Sequence, residues 1–240
     1  MRAVVVAHGD LGGDPEWAAA LLDSADLIVA ADGGGAAVWD LGRCPHAVVG
    51  DLDSLDAPLR AALKGRGCAF ETHRRDKDQT DTELALGLAC ARGATSIVLL
   101  GALGGPRLDH ALANVLLLAL PELAGRDVCL ADPRHEVYLL RAPASRTLSG
   151  TPGDVVTLLP LTPLARGITT EGLLYALEAG SLALGRGRGV SNELTGRQAT
   201  IRLDDGLLLV VLHHRAPAVP GGGPTPRSGR PRGGASRRSG

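Results

Sequence analysis

From residue 2 to about residue 140, short wholly apolar runs alternate with stretches of helical periodicity, and no other feature of the chain limits its fold as tightly. Runs at 4–7, 27–31, 47–50, 97–100 and 128–131 each fit a buried strand. Helical patterns fill the gaps at 15–23, 35–41, 58–64, 80–91 and 108–120. Strands apolar on both faces must be covered on both faces, so the pattern predicts a parallel sheet of Rossmann-like α/β type with helices on either side. Pro15 and Pro58 suit first-turn positions, where their missing amide costs nothing, and Thr80 with Glu83 forms a capping box.

Past about residue 144 the texture changes. Short Gly-punctuated runs at 154–159, 167–170, 173–177, 181–184, 198–203 and 207–212 follow one another with no helix between them. Closely spaced strands with turn signals predict a smaller all-β antiparallel sandwich or barrel. The expected organisation is an α/β domain over 1–142, a β domain over 143–214 and a tail over 215–240. The tail is rich in Pro, Gly, Ser and Arg, too polar to bury a core, and is expected to be disordered.

Charge narrows the function classes. Five of the 25 basic residues lie in 216–240, leaving 20 against 26 acids in the body. An acidic body argues against nucleic-acid binding. No apolar run is long enough to cross a bilayer, and the N-terminal run suits a first strand better than a signal peptide. Cys44, Cys68, Cys90 and Cys129 are far apart with no CxxC pair, as expected of core residues in a reducing compartment. A cytoplasmic protein is the expectation.

Functional groups of parallel α/β sheets gather at the carboxyl ends of the strands. Four motifs fall there. Asp32-Gly33-Gly34-Gly35 follows the second apolar run and leads into a helix, so its amides can approach an anion. Asp51 and Asp53, in GDLDS, stand one residue apart on a loop and can reach the same hard cation, for which magnesium is the natural choice. Asp76, Asp78 and Asp81 crowd a helix start, where capping or a cation must offset their repulsion. Gly104-Gly105-Pro106-Arg107, with Asp109 and His110, opens another helix; the turn can cradle phosphate and Arg107 can neutralise it bidentately. The two lysines, Lys64 and Lys77, belong to no GxxxxGK[ST] loop, which excludes a P-loop.

In this order the motifs resemble the thiamine diphosphokinase family, whose signatures run DGGA, GDxDS, DxxxTD and GGRxDH. Here they read ADGGGAAV, GDLDSL, DKDQTDTELAL and GGPRLDHALAN. The similarity continues in Gly172-Leu173-Leu174-Tyr175 and Ser191-Asn192-Glu193, and spans residues 1 to about 212. Two departures stand out: Pro106 is inserted before Arg107, and Tyr175 occupies a position where some relatives have Trp.

The resemblance implies an enzyme that moves the diphosphate of ATP to the hydroxyl of thiamine and releases AMP. It implies a homodimer whose active site joins one subunit's α/β domain to its partner's β domain. Asp51, Asp53 and Asp81 would hold Mg2+, with Asp32 close by. ATP would lie against Asp32, Gly33, Gly34, Asp78, Thr80, Gly104, Gly105 and Arg107. Asp109 would position the substrates, and Asp81 or Asp109 would take the hydroxyl proton. Tyr175, Ser191 and Asn192 would line the thiamine pocket. The nearest alternative is a diphosphokinase for another alcohol such as a hydroxymethylpterin, against which the second-domain motifs speak. A haloacid-dehalogenase-like phosphatase is disfavoured because Asp53-Ser54-Leu55 stands where that loop carries DGT.

Overall fold

The computed structural model describes residues 1–215; the tail, beyond Arg215, lies outside the described residues. The N-terminal part alternates as the apolar runs require: β1 (Arg2–Val6), α1 (Pro15–Asp23), β2 (Leu27–Ala31), α2 (Gly34–Asp40), β3 (Ala47–Gly50), α3 (Ala57–Gly65), β4 (Ala69–Thr72), α4 (Asp81–Ala91), β5 (Ser96–Leu100), α5 (Leu108–Leu117) and β6 (Asp127–Ala131). Strands follow without a long helix: β7 (His135–Arg141), β8 (Ala144–Ser149), β9 (Val155–Pro160), β10 (Leu164–Glu171), β11 (Gly180–Ala183), β12 (Asn192–Glu193), β13 (Gln198–Leu203) and β14 (Leu207–His213).

The larger sheet has ten strands in the order β12-β9-β14-β7-β6-β5-β1-β2-β3-β4. The six from β6 to β4 are parallel, whereas β7, β14, β9 and β12 add on antiparallel. The expectation of a wholly parallel sheet followed by a separate β layer is therefore corrected. Strands from both halves build one mixed sheet, because β7 turns back on β6 at the tight 132–134 connection and exposes an edge that β14 and β9 extend. Only β11, β10, β13 and β8 form the second, four-stranded antiparallel sheet.

Alternation of side chains along β1 shows how the layers are covered. Val4 and Val6 pack with Trp17, Ala18, Leu21 and Leu22 of α1, while Ala3 and Val5 pack with Ala85, Leu86 and Ala89 of α4. The first of these cores runs on into Leu148, Ile168, Ala199 and Ile201 of the small sheet, which packs over Tyr138, Val156, Leu158 and Val210 of the large one. Leu148 is fully buried in that layer. Its replacement by Ala should cost about 3 kcal/mol of unfolding free energy, measured by urea denaturation.

Four strands escaped the sequence pattern, β4, β7, β8 and the two-residue β12, and one expected strand is absent. β4 is a short edge with mostly exposed residues, so it carries no apolar run. β8 buries Arg146 and Leu148 on the same face, and the arginine breaks the apolar alternation. β7 was not expected as a strand; it follows β6 after the short 132–134 turn and opens on the polar His135 and Glu136. In the 173–177 run, Leu173 makes only an isolated bridge to Leu194.

Candidate active site

The parallel order reverses around β1, with β2 on one side and β5 on the other, and the crevice at such a point is where open α/β sheets bind ligands. Asp32 leaves β2 in the left-handed region, at φ 44°, with its amide on the Val49 carbonyl at 2.8 Å. It is 7% exposed, and its Oδ1 is buried with no hydrogen-bond partner among the described residues. A buried carboxylate oxygen left unpaired is costly, and a bound cation is one way to satisfy it. The His8 Nδ1 stands 3.9 Å from Asp32 Oδ2. Gly33 caps α2, and a Cβ on Gly34 would collide with the Val6 carbonyl oxygen, so close packing of α2 on β1 also demands glycine here.

At the end of β3 the backbone is strained around the acids. Gly50 has φ 148°, and a Cβ there would lie 3.0 Å from the Asp81 Cγ and 3.1 Å from the Asp32 Cβ. Leu52 adopts φ 65° and is 6% exposed, so it turns into the core between the two acids. Left-handed backbone at a leucine costs of order 1 kcal/mol, and here it leaves Asp51 and Asp53 facing out together. Asp51 Oδ1 accepts from the Asp53 amide at 3.1 Å. Asp32, Asp51 and Asp53 each offer an oxygen within 4.8 Å of the others. This trio contains Asp32 where the family pattern put Asp81.

Asp81 lies across Gly50 from the trio, and its Oδ1 is 2.8 Å from the Lys77 ammonium. Arg75 Nη1 is 3.7 Å from Asp53 Oδ2, so the loop before α4 supplies cations to the acids. Sequence reasoning passed over Lys77 and Arg75; their place within three residues of Asp78 was the available signal. Thr80 is the N-cap of α4, its Oγ1 accepting from the Glu83 amide at 3.2 Å, which is one half of the expected capping box, while Glu83 Oε1 accepts from Gln79 Nε2 at 3.2 Å. Asp78 is exposed.

The β5–α5 loop brings Gly104 against Asp10 and leaves Gly105 in open space at φ 112°. Arg107 turns back on Asp109 through two hydrogen bonds, Nε to Oδ1 at 2.9 Å and Nη2 to Oδ2 at 2.5 Å. This pairing holds the Asp109 carboxyl well below the usual range and raises the guanidinium. Asn114 donates to the Ala102 carbonyl at 3.1 Å and ties α5 to the loop.

The second-half residues gather elsewhere. Tyr175 is 68% exposed. Its amide donates to Asn192 Oδ1 at 2.9 Å, and Asn192 Nδ2 donates to its carbonyl at 2.7 Å. Ser191, at φ 60°, donates its amide to Thr157 Oγ1 at 3.2 Å. Asn192 thus spends its side chain bracing the Tyr175 turn. β12 and β3 are eight strand steps apart in the sheet, roughly 38 Å at the usual spacing, so Tyr175 and the acid trio of one chain do not share a pocket.

Comparison with known proteins agrees with this division. Residues 18–130 match the family described as thiamin pyrophosphokinase, catalytic domain, and 143–208 the thiamin pyrophosphokinase, vitamin B1 binding domain. The thiamine pyrophosphokinase of Bacillus subtilis is 26% identical over 189 residues, covering 79% of this chain and 88% of that one. Thiamine pyrophosphokinase 1 of Oryza sativa is 26% identical over 233 residues, covering 87% and 86%. The solved structure of the Enterococcus faecalis thiamin pyrophosphokinase family protein superposes with a TM-score of 0.75 at 26% identity, over 89% of this chain and 99% of that one. With its catalytic and vitamin-binding halves both matched, in order and on the same fold, the chain belongs to the thiamin pyrophosphokinase family.

Proposed function

We propose that the chain converts thiamine and ATP to thiamine diphosphate and AMP, with Mg2+ held by Asp51 and Asp53 together with Asp32, and Asp81 beside them. The observation that carries the site is the convergence of Asp32, Asp51 and Asp53 around a buried, unpaired carboxylate oxygen at the carboxyl edge of the sheet. Three hard oxygens of this kind suit magnesium, which takes its remaining ligands from water and phosphate. Bound there, the ion would neutralise charge on the phosphate oxygens during transfer.

The chain's own residues supply alignment. The thiamine hydroxyl attacks the β-phosphorus, the bond to the α-phosphate oxygen breaks, and AMP leaves. Such a transfer demands orientation and charge neutralisation more than covalent help. Arg107 reaches phosphate by exchanging its exposed Asp109 partner for the stronger polyphosphate charge. That exchange frees the Asp109 carboxylate, whose basicity the guanidinium otherwise suppresses. Between the two carboxylates left open as proton acceptors, this release favours Asp109, since Asp81 stays paired with Lys77. Asp78, Thr80, Gly33, Gly34, Gly104 and Gly105 border the nucleotide in this reading.

Thiamine lies against Tyr175 and Ser191, with Asn192 holding the turn. The distance along the sheet between this segment and the acid trio supports a homodimer in which one subunit's β12 edge faces the other's acids. Among the described residues no helix is long and apolar enough to cross a membrane, consistent with the proposed cytoplasmic location.

Incubating the protein with ATP, magnesium and thiamine should yield AMP and thiamine diphosphate in equal amounts; AMP formed equally with a hydroxymethylpterin would favour the other alcohol. Tyr175→Ala should raise the thiamine KM by about tenfold and the ATP KM by less than about twofold, from loss of ring stacking. Equal changes in both constants would remove Tyr175 from the thiamine site.

A further inference from the structure

Outside the acid trio, a chain of buried titratable groups links β7, β14 and the turn before β9. His214 follows β14 with both ring nitrogens on carboxylates: Nδ1 is 3.1 Å from Asp154 Oδ2 and Nε2 is 3.4 Å from Glu136 Oε1. Their exposures are 9% for His214, 1% for Asp154 and 9% for Glu136. The Tyr138 hydroxyl donates to the other Glu136 oxygen, and the Arg146 guanidinium lies 3.9 Å over the Tyr138 ring. Two carboxylates facing one imidazole call for two N–H donors, which only the imidazolium provides.

Asp154 passes this anchorage to the edge of the sheet. Its side chain accepts from the Thr151 amide at 2.9 Å and the Arg215 amide at 3.0 Å. Its carbonyl accepts from the Leu194 amide at 2.9 Å, and the Gly153 amide donates to the Leu194 carbonyl at 2.8 Å. The Arg215 Nη2 donates to Glu193 Oε1 at 2.8 Å. β12 has only two paired residues of its own, Asn192 with Val156 and Glu193 with Val155. A strand so short depends on what fixes its ends. From it, Asn192 holds the Tyr175 backbone on both sides, and the Glu193 carbonyl accepts from the Leu174 amide at 2.9 Å.

We propose that His214 is a positioning residue for thiamine: bridging Asp154 and Glu136, it fixes β12 and, through Asn192, the Tyr175 turn. The proposal rests on the thiamine site described above. It deepens that reading by naming a residue that touches no substrate yet sets the affinity for one of the two.

The charge state follows from the surroundings. The hydrogen bond to Glu136 raises the His214 pKa most, burial opposes it and Asp154 adds to the rise. Burial alone would raise the Asp154 carboxyl, but its bonds to the Thr151 and Arg215 amides and to His214 hold it below the usual range. The other groups facing the clamp are Glu136 and Tyr138 of β7, Arg146 of β8, Cys129 of β6, Arg134 and Asp132 of the β6–β7 turn, the His135–His213 pair, and Arg215 with Glu193. Burial raises Tyr138 and Cys129 far above their usual values, and burial with the charge of His135 lowers His213. A histidine raised by folding contributes its full stabilisation below its usual value near 6.5 and loses it as pH climbs through the raised one.

The test is steady-state kinetics of His214→Gln, with thiamine and ATP varied separately between about pH 6 and about pH 8.5. The expected result is a rise of about tenfold in thiamine KM near pH 6, with ATP KM and kcat within about twofold of wild type. The wild-type thiamine KM should climb toward the variant's value as pH rises, and the variant's profile should be flat. Equal changes in both KM values, or a variant that keeps the wild-type pH profile, would overturn the clamp. If His214→Gln fails to fold by circular dichroism, the exposed Arg215→Gln carries the test, with a rise of about threefold expected in thiamine KM alone and no change contradicting the proposal. A wild type that forms no thiamine diphosphate takes the function reading and the clamp down together; normal turnover with unmoved variants sinks the clamp only.

Discussion

Asp51→Asn is expected to lower kcat for AMP release by about 10³-fold while leaving the melting temperature close to that of wild type. The local structure supports the second half of that statement. Asp51 is half-buried, and among the described residues its side chain accepts one hydrogen bond, from the Asp53 amide at 3.1 Å. The asparagine carbonyl oxygen accepts the same bond, so the strained turn through Leu52 keeps its geometry. What disappears is one negative charge of three, in a cluster whose mutual repulsion a bound cation would offset. Kinetics and circular dichroism on the same preparation check both halves. Wild-type turnover would mean that the cluster is a solvated acidic turn. Loss of fold would mean that its charge is structural.

Arg107→Ala should reduce kcat/KM for ATP by about 10²-fold, the scale expected for removing one preorganised donor from a developing phosphate charge. The Arg107 side chain is exposed and, among the described residues, bonded only to Asp109, itself exposed in the first turn of α5. Solvent-screened pairs of this kind contribute little to stability, so a large kinetic loss would not trace to unfolding. The same argument explains why the guanidinium is available to a polyphosphate. Arg107→Lys should recover little, because an ammonium cannot present the parallel pair of donors that the fork provides. An alanine variant with unchanged ATP dependence would place the triphosphate away from the β5–α5 loop. The inserted Pro106 would then be the natural suspect, having displaced the arginine from its phosphate.

These expectations drew on a sequence that was unevenly legible. The parallel strands β1, β2, β3, β5 and β6 are buried on both faces, so each shows as an unbroken apolar run. The helix starts at Pro15 and Thr80 were readable from cap chemistry, since Asp14 and Thr80 accept the capping amides. The continuation of the first sheet into the second half was not readable, because pairing between β7, β14 and β9 is a tertiary choice that local periodicity does not encode. β8 was hidden for a different reason. Its inward-facing Arg146 is buried by pairing with Asp127 and by lying on Tyr138, partners that are remote in sequence.

The site shows the same division. The GDLDS spacing announced two acids on one loop, and the structure adds the reason they face the same way: Leu52 turns inward between them. That Asp32 joins them more closely than Asp81 depends on Gly50 and on Lys77, whose ammonium faces the Asp81 carboxylate. Asn192 was expected to line the thiamine pocket, yet both ends of its amide are bonded to the Tyr175 backbone.

Crystals grown with manganese in place of magnesium and a non-hydrolysable ATP analogue would locate the ion by its anomalous signal. The account predicts a peak bounded by oxygens of Asp32, Asp51 and Asp53, with the analogue's phosphates completing its shell. A peak elsewhere, or an analogue bound with no ion at these three carboxylates, would contradict it.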